Sequence, residues 1–307
     1  MKNKQLLYMA GAIVVLFVIY FFTQRSSVPV ADVNYIYDID TSKVTEATLY
    51  DEGHTVTVVR DGAEWNIVNP FEYKANPRFG QILLEKLADM RVESVVTTKE
   101  ERWDEFGLAE DPTRVAIKQG DKEVIFYVGK TADGYRQTYM RRDGSNDVLL
   151  VKGSYGVAFT RIPEQWKDKT ILKLDQHTIQ GVSTDDYHMF RNSDQDDTWF
   201  VDAKGADTRT CDYSEVKRVL SSVSNLRTSD FPTEDAYANV KWDKPKYTMT
   251  VDFFDGSNNK LQFFKDPAQD SFFFVKLEGN DVVFKVYPGT TNQIFKKAED
   301  LLPKEDA

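Results

Sequence analysis

Cysteine is almost missing. Cys211 is the only one in 307 residues, so no internal disulfide framework exists. Such scarcity suits an oxidising compartment, where cysteines are either paired or very few. Cys211 just precedes a predicted helix start, where backbone N–H groups can stabilise a thiolate. With no partner cysteine and no base beside it, it reads as a turn residue without special chemistry. Histidine is nearly as scarce: His54, His177 and His188 lie singly in or beside predicted strands. Lone strand histidines are more often surface or satisfied residues than metal ligands or general bases. Also missing are a Gly-x-x-x-x-Gly-Lys-Ser/Thr phosphate loop, a dinucleotide fingerprint, a His-Glu-x-x-His zinc helix and a Gly-x-Ser-x-Gly elbow. The chain is therefore no ATPase by any familiar motif. No catalytic, cofactor-binding or metal-ligating residue can be named, and the expectation is a non-enzyme without a cofactor.

Long apolar runs are absent with one exception. The seventeen residues Leu6 to Phe22 carry no charge. As a helix they cover roughly 26 Å, close to a bilayer core of about 30 Å. Tyr8 at one end and Tyr20, Phe21 and Phe22 at the other suit the two interfaces. A cleaved signal peptide is the rival, but the nearest small-residue site, Val28-Pro29-Val30-Ala31, is distant and carries an awkward proline. Lys2 and Lys4 precede the run and only Arg25 closely follows it, which keeps the N-terminus in the cytoplasm. The expectation is a single-pass anchor in the bacterial inner membrane, N-in, with the large domain outside the cytoplasm. Residues 1–5 form the cytoplasmic end, 6–22 the anchor and 23–40 a linker.

Positive charge is in deficit beyond that run. Without Lys2, Lys4 and Arg25 the chain has 36 basic residues against 49 acidic. A broad nucleic-acid surface is thereby excluded, and so is wide binding to anionic headgroups. Hydrophobic residues make up 41%, with 20 Phe and 15 Tyr, enough to build a substantial core.

An internal repeat organises the rest. Trp65-Asn66-Ile67-Val68 matches Trp199-Phe200-Val201-Asp202 at an offset of 134. Asp111-Pro112-Thr113-Arg114-Val115 matches Lys244-Pro245-Lys246-Tyr247-Thr248 at 133, and Arg142-Asp143-Gly144 matches Leu277-Glu278-Gly279 at 135. Each copy opens with strands, such as Glu46 to Tyr50 and Thr55 to Arg60 around Asp51-Glu52-Gly53. Helices follow. Asn76 caps one with Pro77 in its first turn and Phe79, Ile82, Leu83, Leu87 and Met90 on one face. Asp212 and Glu215, spaced as a capping box, start the other, with Val216, Val219, Leu220, Val223 and Leu226 as its stripe. Tyr247, Met249, Val251 and Phe253 alternate with polar residues, and Val124–Val128 and Phe272–Val275 read as buried strands. Closing helices are expected at Ser154–Arg161 and Thr291–Leu302. The predicted class is α+β: a single transmembrane helix, then two tandem duplicated antiparallel-sheet-plus-helix domains at 41–163 and 164–302, with 303–307 as a tail.

Trp65, the helix around Leu83 to Met90, the Phe106-Gly107-Leu108-x-x-x-Pro112 segment, the strand pair ending at Gly129 and the Tyr139 strand resemble the bacterial domain-of-unknown-function family 4340. The likeness covers most of residues 40–300, and the second copy departs from it with Val240-Lys241-Trp242-Asp243-Lys244-Pro245. The resemblance implies a membrane-anchored envelope accessory role, since such families are often encoded beside ABC-type exporters and an auxiliary component linked to gliding motility. It implies no catalytic residues.

Remaining candidates are weighed against ordinary structure. The Asp194-Gln195-Asp196-Asp197 run lacks the glycine of a calcium loop and falls opposite the Asp61-Gly62 hairpin of the first copy, so a solvated turn is expected. Asp185-Asp186 reads as a turn, and Phe272-Phe273-Phe274 as a buried strand. Trp65, Trp199, Trp103, Trp166 and Trp242 could line a glycan or peptide platform, but Trp65 and Trp199 hold matching positions and should be core. Trp103 and Trp242, set among charges, are the candidate partner-contact residues. The leading expectation is a non-catalytic, membrane-anchored accessory or scaffold subunit of an envelope transport complex, partnered by an ABC-type permease and an auxiliary envelope protein. The alternative is a binding module holding a lipid, glycan or peptide between the repeats. A hydrolase assembled from scattered Asp, Glu and Tyr is the weakest reading.

Overall fold

The computed structural model describes residues 35–203, 207–267 and 272–304. The expected anchor at 6–22 lies outside these residues, and no helix among those described is long and apolar enough to cross a membrane. The chain divides into two compact units between Asp168 and Lys169.

In the first unit β1 (Val44–Asp51), β2 (His54–Asp61), β3 (Glu64–Asn69) and β4 (Tyr73–Lys74) run as successive hairpins. Helix α1 (Pro77–Ala88) and β5 (Val92–Thr97) follow, and β6 (Thr113–Gln119), β7 (Lys122–Thr131), β8 (Gln137–Arg142) and β9 (Val148–Lys152) form a second meander. The two meanders join along their first strands, giving one antiparallel sheet of order β4-β3-β2-β1-β6-β7-β8-β9-β5. The second unit repeats the plan with β10 (Ile179–Thr184), β11 (Tyr187–Phe190), β12 (Phe200–Ala203), β13 (Arg209–Thr210), α2 (Tyr213–Ser224), β14 (Tyr247–Phe253), β15 (Asn258–Lys265), β16 (Phe273–Leu277) and β17 (Val283–Val286). Its order is β13-β12-β11-β10-β14-β15-β16-β17. The place of β5 is taken by a single bridge, Asp230 to Lys285.

The predicted α+β class is overturned: two large antiparallel sheets dominate, and among the described residues each unit has one helix of 12 residues and otherwise short turns. The expected closing helices shrink. Ser154–Arg161 yields one turn at Gly156–Phe159, because Ile162 is held extended before Pro163 and a separate turn starts at Pro163–Trp166. Thr291–Leu302 becomes Pro288–Ile294 plus a 3-10 turn at Ala298–Leu301, broken where Lys297 is extended.

What holds each unit is the same set of devices. Helix α1 is capped by the Asn76 side chain, which accepts from the Arg78 N–H, and it buries Gly80, Leu83 and Leu87 against the sheet. Burial of each such leucine contributes roughly 1.5–3 kcal/mol, far more than helix propensity does. Asn76 donates its own N–H to Trp166 O at 2.7 Å, and Ala75 donates to Trp65 O at 2.8 Å. The second unit matches both: Asp212 donates to Leu301 O at 2.8 Å and Cys211 to Trp199 O at 2.8 Å. Asp212 caps α2 through the N–H groups of Ser214 and Glu215. Its own N–H is already used, so Glu215 does not complete the expected box and pairs with Lys296 and Arg218 instead. Trp65, Trp166 and Trp199 are all buried in their cores, as are Phe272, Phe273 and Phe274.

Candidate functional site

Trp103 and Trp242, the two candidate contact residues, occupy analogous places. In each unit the sheet face turned away from the helix carries a second, smaller core. In the first it consists of Phe106, Leu108 and Val148, covered by the 3-10 segment Glu100–Phe106 that brings Trp103 over it. In the second it consists of Val240, Phe264, Phe272, Phe274 and Val283, with Tyr237 and Trp242 packed on top. A cation from the matching strand lies on each indole: Arg141 of β8 is 3.9 Å from the Trp103 ring and Lys276 of β16 is 3.9 Å from that of Trp242. Such stacking is worth about 0.5–2 kcal/mol, depending on desolvation. Arg141 is also sandwiched against Tyr127 at 4.2 Å, and its Nε is buried without a hydrogen-bond partner. Both tryptophans are half-buried lids with one flank open, not free-standing contacts.

A recessed surface lies in the second unit. Two adjoining hollows of about 420 and 330 Å³ share Phe253 and Ser257 as walls. His177, Thr178, Asp194, Phe254 and Asp255 complete the first; Gln180, Gly181, His188, Phe190, Asp252 and Gly256 complete the second. The His188 and Phe190 rings stack at 4.9 Å and 19°, and Phe200 continues the row at 5.8 Å. Gly181 makes the room: a Cβ there would lie 3.2 Å from His188 Nε2 and 3.3 Å from Met189 O. One wall is fixed by Arg191, buried and bonded to no carboxylate among the described residues. Its Nε donates to Ile179 O at 3.0 Å and its Nη2 to the carbonyls of Gln176 and His177 at 3.1 and 2.7 Å. Its guanidinium lies 5.2 Å from the rings of both Trp199 and Phe254. Asp255 accepts the N–H and hydroxyl of Ser257, which hold its carboxyl below the usual range.

The first unit supplies an internal comparison. The residue after the bulge in the opening strand is Glu46 in one unit and Gly181 in the other, and the strands facing them place Lys118 and Asp252. Glu46 and Lys118 form an ion pair at 2.7 Å, and Thr48 and Thr57 share a hydroxyl hydrogen bond at 3.1 Å. In the second unit Gly181, Ser183, His188 and Asp252 stand at those positions, and the surface opens.

The remaining candidates resolve as structure. Asp194–Asp197 lies in the loop between β11 and β12, where Asp196 accepts from the Thr198 N–H at 2.8 Å, and Asp194 alone reaches the hollow. Among the described residues no three metal-ligating side chains converge. Asp185 accepts from the N–H and hydroxyl of Thr248, tying the first hairpin turn to β14, much as Asp51 accepts from Thr113 in the first unit. Cys211 is buried and takes the place of Ala75; burial, helped by the Asp212 charge, pushes its thiol up to about 12. Tyr155 and Tyr187 are likewise driven upward by burial while donating to backbone carbonyls. Gly107, at φ 68°, ends the 3-10 segment in the left-handed region, and Gly129 lets Phe106 O and Leu108 approach where a Cβ would meet them at 2.3 and 2.9 Å. The Phe106-Gly107-Leu108-x-x-x-Pro112 segment thus builds the lid that carries Trp103.

The fold and these surfaces define a protein of two duplicated, sheet-dominated units, each with a half-buried tryptophan against a stacked cation. The model of one family, Domain of unknown function (DUF4340), matches residues 65–245, more than half of the chain, and the chain belongs to that family. The match runs across the division at Asp168, covering parts of both units in one stretch. No curated protein and no solved structure matches the chain.

Proposed function

We propose that this chain is a non-catalytic accessory or scaffold subunit of an envelope transport complex, anchored in the inner membrane by residues 6–22 and associated with an ABC-type exporter and an auxiliary envelope protein. The observation that carries the reading is the duplicated cation-on-indole lid. Each unit spends a 3-10 segment or a pair of turns on holding one half-open tryptophan over a rigid sheet. Aromatic anchors with a stacked cation at a fixed surface are the kind of feature protein interfaces use. The apolar run with Lys2 and Lys4 before it supports the anchor, and the acidic balance turns the role away from nucleic acid. The titratable groups moved furthest, Tyr155, Tyr187 and Cys211, are all held neutral by burial, which suits packing and not acid–base work.

The test is gentle detergent extraction of the tagged native protein, affinity purification and quantitative mass spectrometry. A permease and its ATPase recovered in constant ratio, and lost with Trp103→Ala or Trp242→Ala, is the expected result. Recovery of the chain alone from crosslinked and uncrosslinked membranes would sink the proposal.

A further inference from the structure

We infer that the paired hollows beside Gly181 form a saccharide-binding cleft, taking two or more consecutive sugar rings of a neutral or amine-bearing glycan. The inference goes beyond the accessory role and does not depend on it.

Three observations converge. First, the walls combine flat rings with hydrogen-bonding groups: Phe253 divides the hollows, the stacked His188–Phe190 pair forms a platform, and Gln180, Ser257 and Thr178 lie at the rim. Sugars present an apolar C–H face to aromatic rings and hydroxyls to the surrounding polar groups. Second, the charged groups that line the hollows are Asp194, Asp252 and Asp255, with His177 and His188 also in the lining and the Arg191 guanidinium bonded to backbone carbonyls behind it. Carboxylates accept from hydroxyl or ammonium donors and repel phosphate, sulfate and uronate, so the ligand is not an anion. Third, the matching positions in the first unit carry the Glu46–Lys118 ion pair. The second unit has neither partner there: Gly181 and Asp252 stand in their places, and rings line the gap.

A basic peptide would satisfy the charge but not the backbone. Peptides dock on sheets mainly by pairing with an edge strand. The second hollow opens over β10, β11 and β14, each hydrogen-bonded to strands on both sides. The first is walled by the 3-10 turn before β10, the β11–β12 loop and the β14–β15 turn, so neither presents a strand edge. Discrete rings stacked on side chains are what this surface can hold.

The experiment uses the full chain in a detergent without a sugar headgroup. Saturation-transfer NMR is recorded with chitotriose, cellotriose, maltotriose and mannotriose at millimolar concentration, with trilysine as the competing class. At least one trisaccharide should give transfer centred on its ring C–H protons. His188→Ala, an exposed change, should weaken it about fivefold. The double change Gly181→Glu with Asp252→Lys, which installs the first unit's residues, should abolish it while the circular dichroism stays native. No transfer from any of the four sugars overturns the inference. So does binding that survives both variants, and so does displacement of the sugar by trilysine. Because the accessory role is judged by co-purification, the two readings fail separately.

Discussion

Replacing Gly80 by alanine should destabilise the first unit, against the ordinary effect of that change in a helix. Gly80 lies inside α1, where alanine normally favours the helix by about 0.8–1.0 kcal/mol. A Cβ on Gly80 would sit 2.1 Å from Trp65 Cδ1, 2.4 Å from Nε1 and 2.8 Å from Cγ. Carbon atoms want about 3.5–4.0 Å, so the helix and the indole must separate by roughly 1.5 Å. Neither moves freely. Trp65 is 2% exposed and its carbonyl accepts the Ala75 N–H, while α1 is anchored one turn earlier by the Asn76 cap. Overpacking of this kind costs about 1–3 kcal/mol, and a clash this deep belongs at the upper end. After the propensity gain the net loss should be about 2 kcal/mol. Hydrogen exchange of the full chain, read peptide by peptide, separates the units: protection in β1–β3 and α1 should fall about thirtyfold while the second unit is unchanged. Gly156→Ala is the control, since it is also helical and a Cβ there meets nothing within 4 Å, so it should be neutral or stabilising. Trp65→Phe added to Gly80→Ala should restore part of the loss, because neighbouring changes couple. A Gly80→Ala protein at least as protected as the parent would refute the packing of α1 on Trp65.

Three further outcomes follow from the same physics. Arg191→Met should cost the second unit about 2–4 kcal/mol in urea unfolding, because the carbonyls of Gln176, His177 and Ile179 lose their donors; Arg191→Lys should not rescue it, since a single ammonium cannot span them. The Cys211 thiol should resist alkylation in the native protein at pH 8. Its folded value lies above the unfolded one, so the stability it contributes is complete below about pH 9 and is lost as pH rises towards about 12. Cys211→Ala should flatten the alkaline decline of the second unit in part, Tyr187 contributing there and Tyr155 in the first unit, and should otherwise cost about 1 kcal/mol or less because Ala75 already serves in the first unit. Trp103→Ala and Trp242→Ala should each lower the stability of their own unit by about 2 kcal/mol, and a change within 0.5 kcal/mol would mean that they are not lids.

Much of the frame was legible because strands and caps are local. The alternation from Tyr247 to Phe253, the Asn76-Pro77 helix start and the buried Phe272-Phe273-Phe274 run all stand as read. The class was not legible, because Ser154–Arg161 and Thr291–Leu302 carry apolar spacing that suits a helix, while proline, glycine and packing against the sheet cut both into single turns. Trp166 shows the same limit: it is buried in the first core through contacts with residues far back in the chain, its carbonyl accepting the Asn76 N–H, which no window of sequence reveals. The hollow was missed for a different reason. His177 and His188 are eleven residues apart on separate elements, and Asp252, Phe253 and Ser257 join them only because β14 pairs with β10. A signal was present all the same, in the substitution of Glu46 by Gly181 and of Lys118 by Asp252 once the copies are set in register.

Duplication also says how to weigh what remains. A feature kept in both units at matched positions, such as the Trp carbonyl that takes the N–H before the helix, is what this sheet needs in order to fold. The paired arginines argue the same way: Arg60 donates to Thr41 O in one unit and Arg191 to Gln176 O in the other, each bracing the 3-10 turn before the opening strand. The sheet plan tolerates an ion pair at the Glu46 position, so it does not by itself require Gly181. In the second unit it is the approach of His188 and the Met189 carbonyl, 3.2 and 3.3 Å from a Cβ, that favours glycine, although a glycine in a strand weakens it. Its cost of about 0.5–1 kcal/mol relative to alanine is offset by no contact of its own. The surface beside it, walled by Phe253, His188 and Phe190, is therefore one that the second unit presents and the first, with its Glu46–Lys118 ion pair, does not.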